Sequence, residues 1–165
     1  MGFLGISLLF VGITLVSNGL YRFLNTDAKS IAAMNLFTGS ILFIGNVIML
    51  AKASDIMQFQ NTASGFLFAV TYLFIAANYL FKLDLRPFGL FSLFVAVYAS
   101  IMAVLSYGTD FRFVLLWSAW AVIWLEGFLE LVLKIKLEKF FPYLSIAVGL
   151  FAAFIPAVLM LTDKW

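Results

Sequence analysis

Residues 113–133 read FVLLWSAWAVIWLEGFLELVL, and the fold turns on whether this stretch, with Glu126 and Glu130 in it, spans a membrane. The flanking sequence decides the matter. Uncharged runs occupy Gly2–Tyr21, Ser30–Ala51, Ile56–Phe81, Pro87–Thr109 and Phe140–Thr162, each about the roughly 20 residues that a helix needs to cross a bilayer. Hydrophobic residues make up 65% of the 165 positions and charged residues 11%, too few to clothe a soluble globule. Residues 113–133 are therefore the fifth of six spans, interrupted only by two carboxylates. Short loops leave no room for a soluble domain, so the expectation is an all-α membrane protein, one six-helix channel-like domain over 1–165. The first run has no basic segment before it, and Ser17–Asn25 offers no small-residue cleavage site. It reads as a true span, not as a signal peptide.

Lys and Arg alternate around the chain. Arg22 and Lys29, Lys82 and Arg86, and Lys134, Lys136 and Lys139 fall in alternate loops, against Lys52, Arg112 and Lys164 on the other side. The positive-inside rule then places the three basic loops in the cytoplasm and both termini outside.

A weaker periodicity runs through the same loops. Each pairs an acid with a base: Asp27 and Lys29, Asp84 and Arg86, Glu138 and Lys139. Six residues after each base stands a small polar residue (Asn35, Ser92, Ser145), and ten residues after it a small one (Gly39, Ala96, Gly149). Three copies of a two-helix hairpin account for this spacing, since small residues let helix backbones approach closely in lipid. Three hairpins around an axis can enclose a pore.

Several mechanisms lack their residues. With no His and no Cys, histidine proton relays, thiol redox chemistry and the usual metal sites are not expected, and neither a cofactor nor a nucleic-acid partner is implied. No basic residue lies mid-span, against a voltage sensor or an anion cage. An intramembrane enzyme would need a nucleophile–base pair that two carboxylates on one helix do not provide. Glu126 and Glu130, one turn apart, are structural contacts to a neighbouring helix, groups near the cytoplasmic interface, as Glu130 four residues before Lys134 suggests, or polar pore groups, Glu126 being the deeper.

Aromatic residues are the positive signal. Trp117, Trp120 and Trp124 share one face of the fifth helix with Ile123. Trp124 lies about 16 Å beyond Phe113 at helical rise, too deep for an interfacial anchor. On the first helix Leu4, Leu8, Val11, Leu15 and Asn18 form a stripe, and on the third Phe66, Val70, Phe74 and Ala77 form another, with Thr71 and Asn78 beside it. These stripes are either packing faces or the lining of a path. An aromatic slot with sparse amides suits a small, flat, uncharged solute, whose desolvation costs a few kcal/mol where an ion demands tens.

The segments LFVGITLVSN (9–18), DAKSIAAMNLF (27–37), FAVTYLFIAAN (68–78), LDLRP (83–87) with SLFVA (92–96), WSAWAVIW (117–124), Phe140–Pro142 and Ile155–Ala157 follow one another in an order that resembles the AmiS/UreI family of bacterial urea and short-chain amide channels. The resemblance implies six helices in three hairpins around a pore, both termini outside the cytoplasmic membrane, and a homohexamer whose protomers each hold a pore, with lipid at the centre. It implies passive transport of urea or a similar small amide. It also implies a pore lined by Leu4, Leu8, Leu15 and Asn18, by Val70 and Phe74, and by Trp117, Trp120, Ile123 and Trp124. Asn78, Glu126 and Glu130 are further polar candidates.

Three departures from the family pattern stand out. Val70 replaces a bulkier aromatic and Phe74 lacks a tyrosine hydroxyl. Val148 stands where the sixth helix of the best-known urea channel has a carboxylate, and Glu126 is an extra carboxylate on the neighbouring helix. Acid-gated members carry a long histidine-bearing outer loop, whereas the corresponding loop here, Lys52–Asn61, is expected to be ten residues in a chain without histidine. A channel open near neutral pH is the expectation. An acetamide or formamide channel supplying an amidase, and a non-transporting membrane scaffold, are the alternatives.

Overall fold

The computed structural model describes residues 2–24, 26–137 and 139–165. Its six long helices are α1 (Gly2–Tyr21), α2 (Ala28–Lys52), α3 (Ile56–Phe81), α4 (Arg86–Ser106), α5 (Phe111–Leu131) and α6 (Phe141–Leu161). Each is long and apolar enough to cross a membrane, and no strand occurs among the described residues. The chain is an all-α, multi-pass membrane protein. The bounds of α1 and α3 coincide with the uncharged runs that predict them, because nothing within those runs competes with the helix.

Short polar residues decide where the helices begin. The Asp27 carboxylate accepts from Ser30 N at 3.0 Å and caps α2. Asp84 accepts from Arg86 N at 2.9 Å, and Pro87 occupies the first turn of α4, where a missing N–H costs nothing. The Arg86 guanidinium grips the same carboxylate, Nη2 to Oδ2 at 2.6 Å, and holds it down to about 2. The acids of the first two basic loops thus serve as start signals for the helices that follow. Glu138, the third such acid, lies outside the described residues. Lys82 ends α3 with φ 53°, the left-handed turn that closes many helices.

One expected boundary is corrected. Between α2 and α3 there is no ten-residue loop over Lys52–Asn61, because α3 starts at Ile56 and only Ala53–Asp55 connect the two helices. The cause is a capping arrangement: the Asp55 carboxylate accepts from Gln58 N at 2.8 Å, and Gln58 Oε1 reaches back to Ser54 N at 2.8 Å.

Packing follows the small residues. The closest helix pairs are α2 with α3, α4 with α5, and α1 with α6, so the tightest contacts run between the hairpins that the repeat implies (α1–α2, α3–α4 and α5–α6) and not within them. The two pairs adjacent in the chain close across the short turns opposite the basic loops, while the helices joined by basic loops stand further apart. The repeated small polar residues Asn35, Ser92 and Ser145 are all buried, as are Gly39, Ala96 and Gly149. A Cβ on Gly39 would come within 2.9 Å of Leu73 N on α3, and one on Gly149 within 3.0 Å of Val16 N on α1. Ser145 Oγ donates to the Leu15 carbonyl at 2.7 Å.

Along α1, Gly5, Gly12 and Gly19 recur every seven residues and face α6. Gly12 is the tightest: a Cβ there would lie 2.6 Å from Phe154 N and 2.8 Å from the Gly149 carbonyl. Beside it α6 widens into a π-turn over Leu150–Phe154. Pro156 follows, with no N–H for the Ala152 carbonyl and a ring that crowds it. The wide turn is the local adjustment that relieves this crowding. Outward, Phe37, Ile44, Phe94, Val104 and Phe151 are exposed, a surface suited to hydrocarbon.

Candidate functional site

Two cavities occupy the spaces between the helix units. One, of about 300 Å³, opens at the end of the molecule carrying Arg22, Leu85 and Phe141. The other, of about 490 Å³, lies at the opposite end, where Phe3, Met49, Met57 and Phe113 line it. Phe68 of α3 and Trp120 of α5 are the two residues that line both. The cavities therefore meet at an aromatic neck in the middle of the helices.

The neck is built on helical spacing. Trp120 and Trp124 fall one turn apart on α5, both about 95% buried, with ring centroids 5.8 Å apart. The Phe68 ring meets them edge-on, 4.7 Å from Trp120 at 83° and 4.8 Å from Trp124 at 67°. Such edge-to-face contacts each contribute ~0.5–1.5 kcal/mol beyond burial. The Trp124 indole is fixed further: Nε1 donates to Thr71 Oγ1 at 3.3 Å, while that hydroxyl donates to the Leu67 carbonyl at 2.8 Å. On the basic side, Phe74 and Phe88 stack at 4.8 Å and 6°, giving that cavity a flat aromatic wall.

Polar groups are few and mostly committed. Asn18 and Asn35 exchange carboxamide hydrogen bonds at 3.0 and 2.8 Å, tying α1 to α2. Ser92 donates to the Phe88 carbonyl at 2.9 Å. Glu126 lines the basic-side cavity, is 4% exposed, and its Oε1 has no hydrogen-bond partner. Glu130 lines the same cavity one turn nearer its mouth and is half-buried. In the other cavity the side chains of Asn46, Gln60, Asn61 and Ser64 supply the polar edges. Among the described residues that line the neck itself, no side chain is charged.

The structure brings most of the candidate residues to these two spaces. Leu4, Leu8 and Trp117 line the wider cavity; Leu15, Asn18, Phe74, Asn78, Ile123, Trp124, Glu126 and Glu130 line the narrower one; Trp120 lines both. Val70 lines neither and is 42% exposed. The third-helix stripe is rotated relative to expectation. Besides Phe74, the third-helix residues that line the narrower cavity include Phe68, Thr71, Ile75 and Asn78, at spacings of three, four and three, and Val70 is not among them. Phe68 was not among the expected pore residues, although it carries the neck. Its signal was an aromatic opening the only third-helix stripe that ends in the amide Asn78 and passes through the hydroxyl of Thr71. Val148 is buried in the apolar core.

Comparison with known proteins supplies a context for this geometry. A model of the AmiS/UreI family of transporters matches residues 3–164. The acid-activated urea channel of Helicobacter pylori is 38% identical over an alignment of 193 residues that covers 98% of this chain and 99% of the relative. That alignment is longer than the 165 residues here, so the relative carries segments that this chain lacks. A protein of Rhodococcus erythropolis assigned as the transporter AmiS2 is 34% identical over 164 residues, 97% of this chain and 80% of the relative. The cryo-EM structure of the Helicobacter pylori urea channel in its closed state matches with a TM-score of 0.90 at 38% identity, covering 98% of this chain and 99% of that one. The crystal structure of the urea channel from the same organism matches equally well, TM-score 0.90.

Proposed function

This chain belongs to the AmiS/UreI family of transporters, and from that premise we propose that it is a passive channel for urea and similar small, neutral, planar amides in the bacterial cytoplasmic membrane. It is a transport protein and not an enzyme. The observation that carries the reading is the meeting of two cavities at Phe68 and Trp120. A flat solute entering either cavity reaches a slot whose walls are ring faces and edges. Its polar edges find Asn78 on one side and Asn46 and Gln60 on the other. Shedding water from a neutral amide costs a few kcal/mol, against tens for an ion, so the uncharged neck passes the first and stops the second. No coupling ion is required, and the solute gradient drives the flux.

Leu4, Leu8, Leu15, Asn18, Phe74, Trp117, Trp120, Ile123 and Trp124 form the path in this reading, with Phe68 added and Val70 on the outer surface. The whole chain, 1–165, is one channel domain. The basic loops face the cytoplasm and both termini lie outside, by the distribution of Lys and Arg. The protein assembles as a homohexamer with one path per protomer, as its family resemblance implies, and its exposed apolar faces meet neighbours and lipid. A preference for acetamide or formamide is the second reading, favoured by the relative assigned as AmiS2.

Stopped-flow permeability of proteoliposomes to urea, acetamide, formamide and thiourea tests both readings. Urea flux well above that of protein-free vesicles is expected, and flux no faster than theirs would overturn the channel reading and favour a scaffold. The chain has no histidine, and the turn between α2 and α3 is three residues. Flux is therefore expected to be similar at pH 5 and 7.5, and steep activation at pH 5 would refute ungated passage.

A further inference from the structure

A carboxyl oxygen buried in a membrane helix without a partner is costly, and such groups persist where something uses them. Glu126 is one. It stands on α5 beside the stripe of Ile123, Gly127 and Glu130, lines the narrower cavity and is 96% shielded, yet its Oε1 meets no donor. Every other deep polar group in that cavity is already committed. Asn18 is bonded to Asn35 through both ends of its carboxamide. Thr71 is held between Trp124 and Leu67, and Ser92 donates to Phe88. Asn78, Glu130 and Arg22 sit within the last turn of their helices or just beyond it, toward the mouth, where water reaches them.

Gly127 completes the arrangement. A Cβ at this position would come 3.3 Å from Ser92 Oγ, so the absent side chain leaves α5 close to α4 and the space beside Glu126 unfilled. The Glu126 carboxyl also faces that of Glu130, one turn along α5, so what the cavity offers just past the apolar aromatic neck is one carboxyl oxygen, Oε1, that meets no protein donor. An amide solute emerging from that neck has shed water from its N–H groups, and these are the donors that a free carboxyl oxygen can satisfy. Either protonation state retains an acceptor oxygen.

We propose that Glu126 is the N–H acceptor of the path, and that it makes the channel favour solutes bearing –NH2 groups over isosteric neutral solutes that lack them. The proposal rests on the channel reading and adds a specificity-determining residue to it. In this chain the carboxyl stands on α5, while α6 presents Val148 to the core.

The test is urea efflux from proteoliposomes loaded with wild type, Glu126→Leu or Glu126→Gln, with acetamide or acetone equilibrated on both sides as competitor. Acetone has the same planar heavy-atom shape as urea, with methyl groups in place of both amino groups. In wild type, acetamide is expected to slow urea efflux and acetone to have little effect. Glu126→Leu is expected to lower urea permeability roughly tenfold, the loss of one hydrogen bond to a buried carboxyl oxygen, and to make the two competitors equivalent. Glu126→Gln keeps an acceptor oxygen but sets two N–H donors beside it, so a two- to fivefold loss and narrowed discrimination are expected. It carries the test alone if the leucine variant does not assemble. Wild-type discrimination in either variant, once assembled as wild type is, would overturn the proposal. Failure of wild type to pass urea at all would instead overturn the channel reading, so the two failures are distinguishable.

Discussion

Replacing Phe68 by alanine removes the one ring that touches both Trp120 and Trp124 and that lines both cavities. The structural cost is bounded by two edge-to-face pairs at ~0.5–1.5 kcal/mol each, about 1–3 kcal/mol in all, plus the burial lost. Phe68 is only half-buried, so assembly should survive. The effect on passage is larger in consequence. With the ring gone, spaces of about 300 and 490 Å³ merge, and a solute keeps some water as it crosses. If the neck imposes part of the ~1–3 kcal/mol cost of desolvating an amide-like group, relieving ~1.4 kcal/mol of it changes permeability tenfold. Glycerol, bulkier and more heavily hydrated than urea, should gain most, so the ratio of urea to glycerol permeability is expected to fall about tenfold. The measurement is stopped-flow light scattering on vesicles of known protein density, with size-exclusion chromatography confirming the same assembly as wild type. A correctly assembled Phe68→Ala protein that retains the wild-type ratio would show that the barrier lies elsewhere.

Gly12→Val places side-chain atoms where Phe154 N and the Gly149 carbonyl already stand, 2.6 and 2.8 Å from a Cβ, so detergent-solubilised protein should melt lower by the ~1–3 kcal/mol typical of overpacking, or more. Asn35→Leu breaks the reciprocal amide pair with Asn18, and a loss of ~1–2 kcal/mol is expected in steric-trap or denaturant unfolding from bicelles. Trp124→Phe keeps an aromatic ring but removes the donor to Thr71; urea flux should fall modestly while assembly is unchanged, in contrast to a larger change for Trp124→Ala in the same assay. The Asp84 carboxyl is held down to about 2 from 3.8 by the Arg86 guanidinium. A depressed folded-state value stabilises the ionised loop above pH 3.8 and loses that contribution as pH falls toward 2. Hydrogen exchange at Arg86 and Gly89 should therefore stay constant from pH-corrected neutrality down to about pH 4 and accelerate only below it; loosening near pH 5 to 6 would refute the assignment.

Much of this molecule is written in local chemistry. Six spans follow from uncharged runs, because a bilayer leaves each backbone no partner but its own helix. The starts of α2 and α4 follow from Asp27 and Asp84, whose carboxylates satisfy the first amides. The three-unit repeat is visible in Asn35, Ser92 and Ser145 for the same reason: a position that must be small and buried can be filled by few residue types. The aromatic face of α5 is legible too, since Trp117, Trp120 and Trp124 must share it at 3.6 residues per turn.

What the sequence by itself could not determine is which way each of the other helices turns. A membrane helix is apolar all round, so the hydrophobic contrast that orients a soluble helix is missing. That is why the expected third-helix stripe passes through Val70, whereas the cavity lining on this helix includes Phe68, Thr71 and Ile75. The helices joined by basic loops are neighbours in the chain, yet the close partners are α2 with α3, α4 with α5 and α1 with α6, a choice that Gly39, Gly89, and Gly12 with Gly149 respectively permit by leaving room for close approach. The stretch from Phe113 to Leu133 shows the division most clearly. Its spacing placed the tryptophans on one face, but only the packed structure put Phe68 between two of them and left Glu126 beside them with an oxygen unpaired.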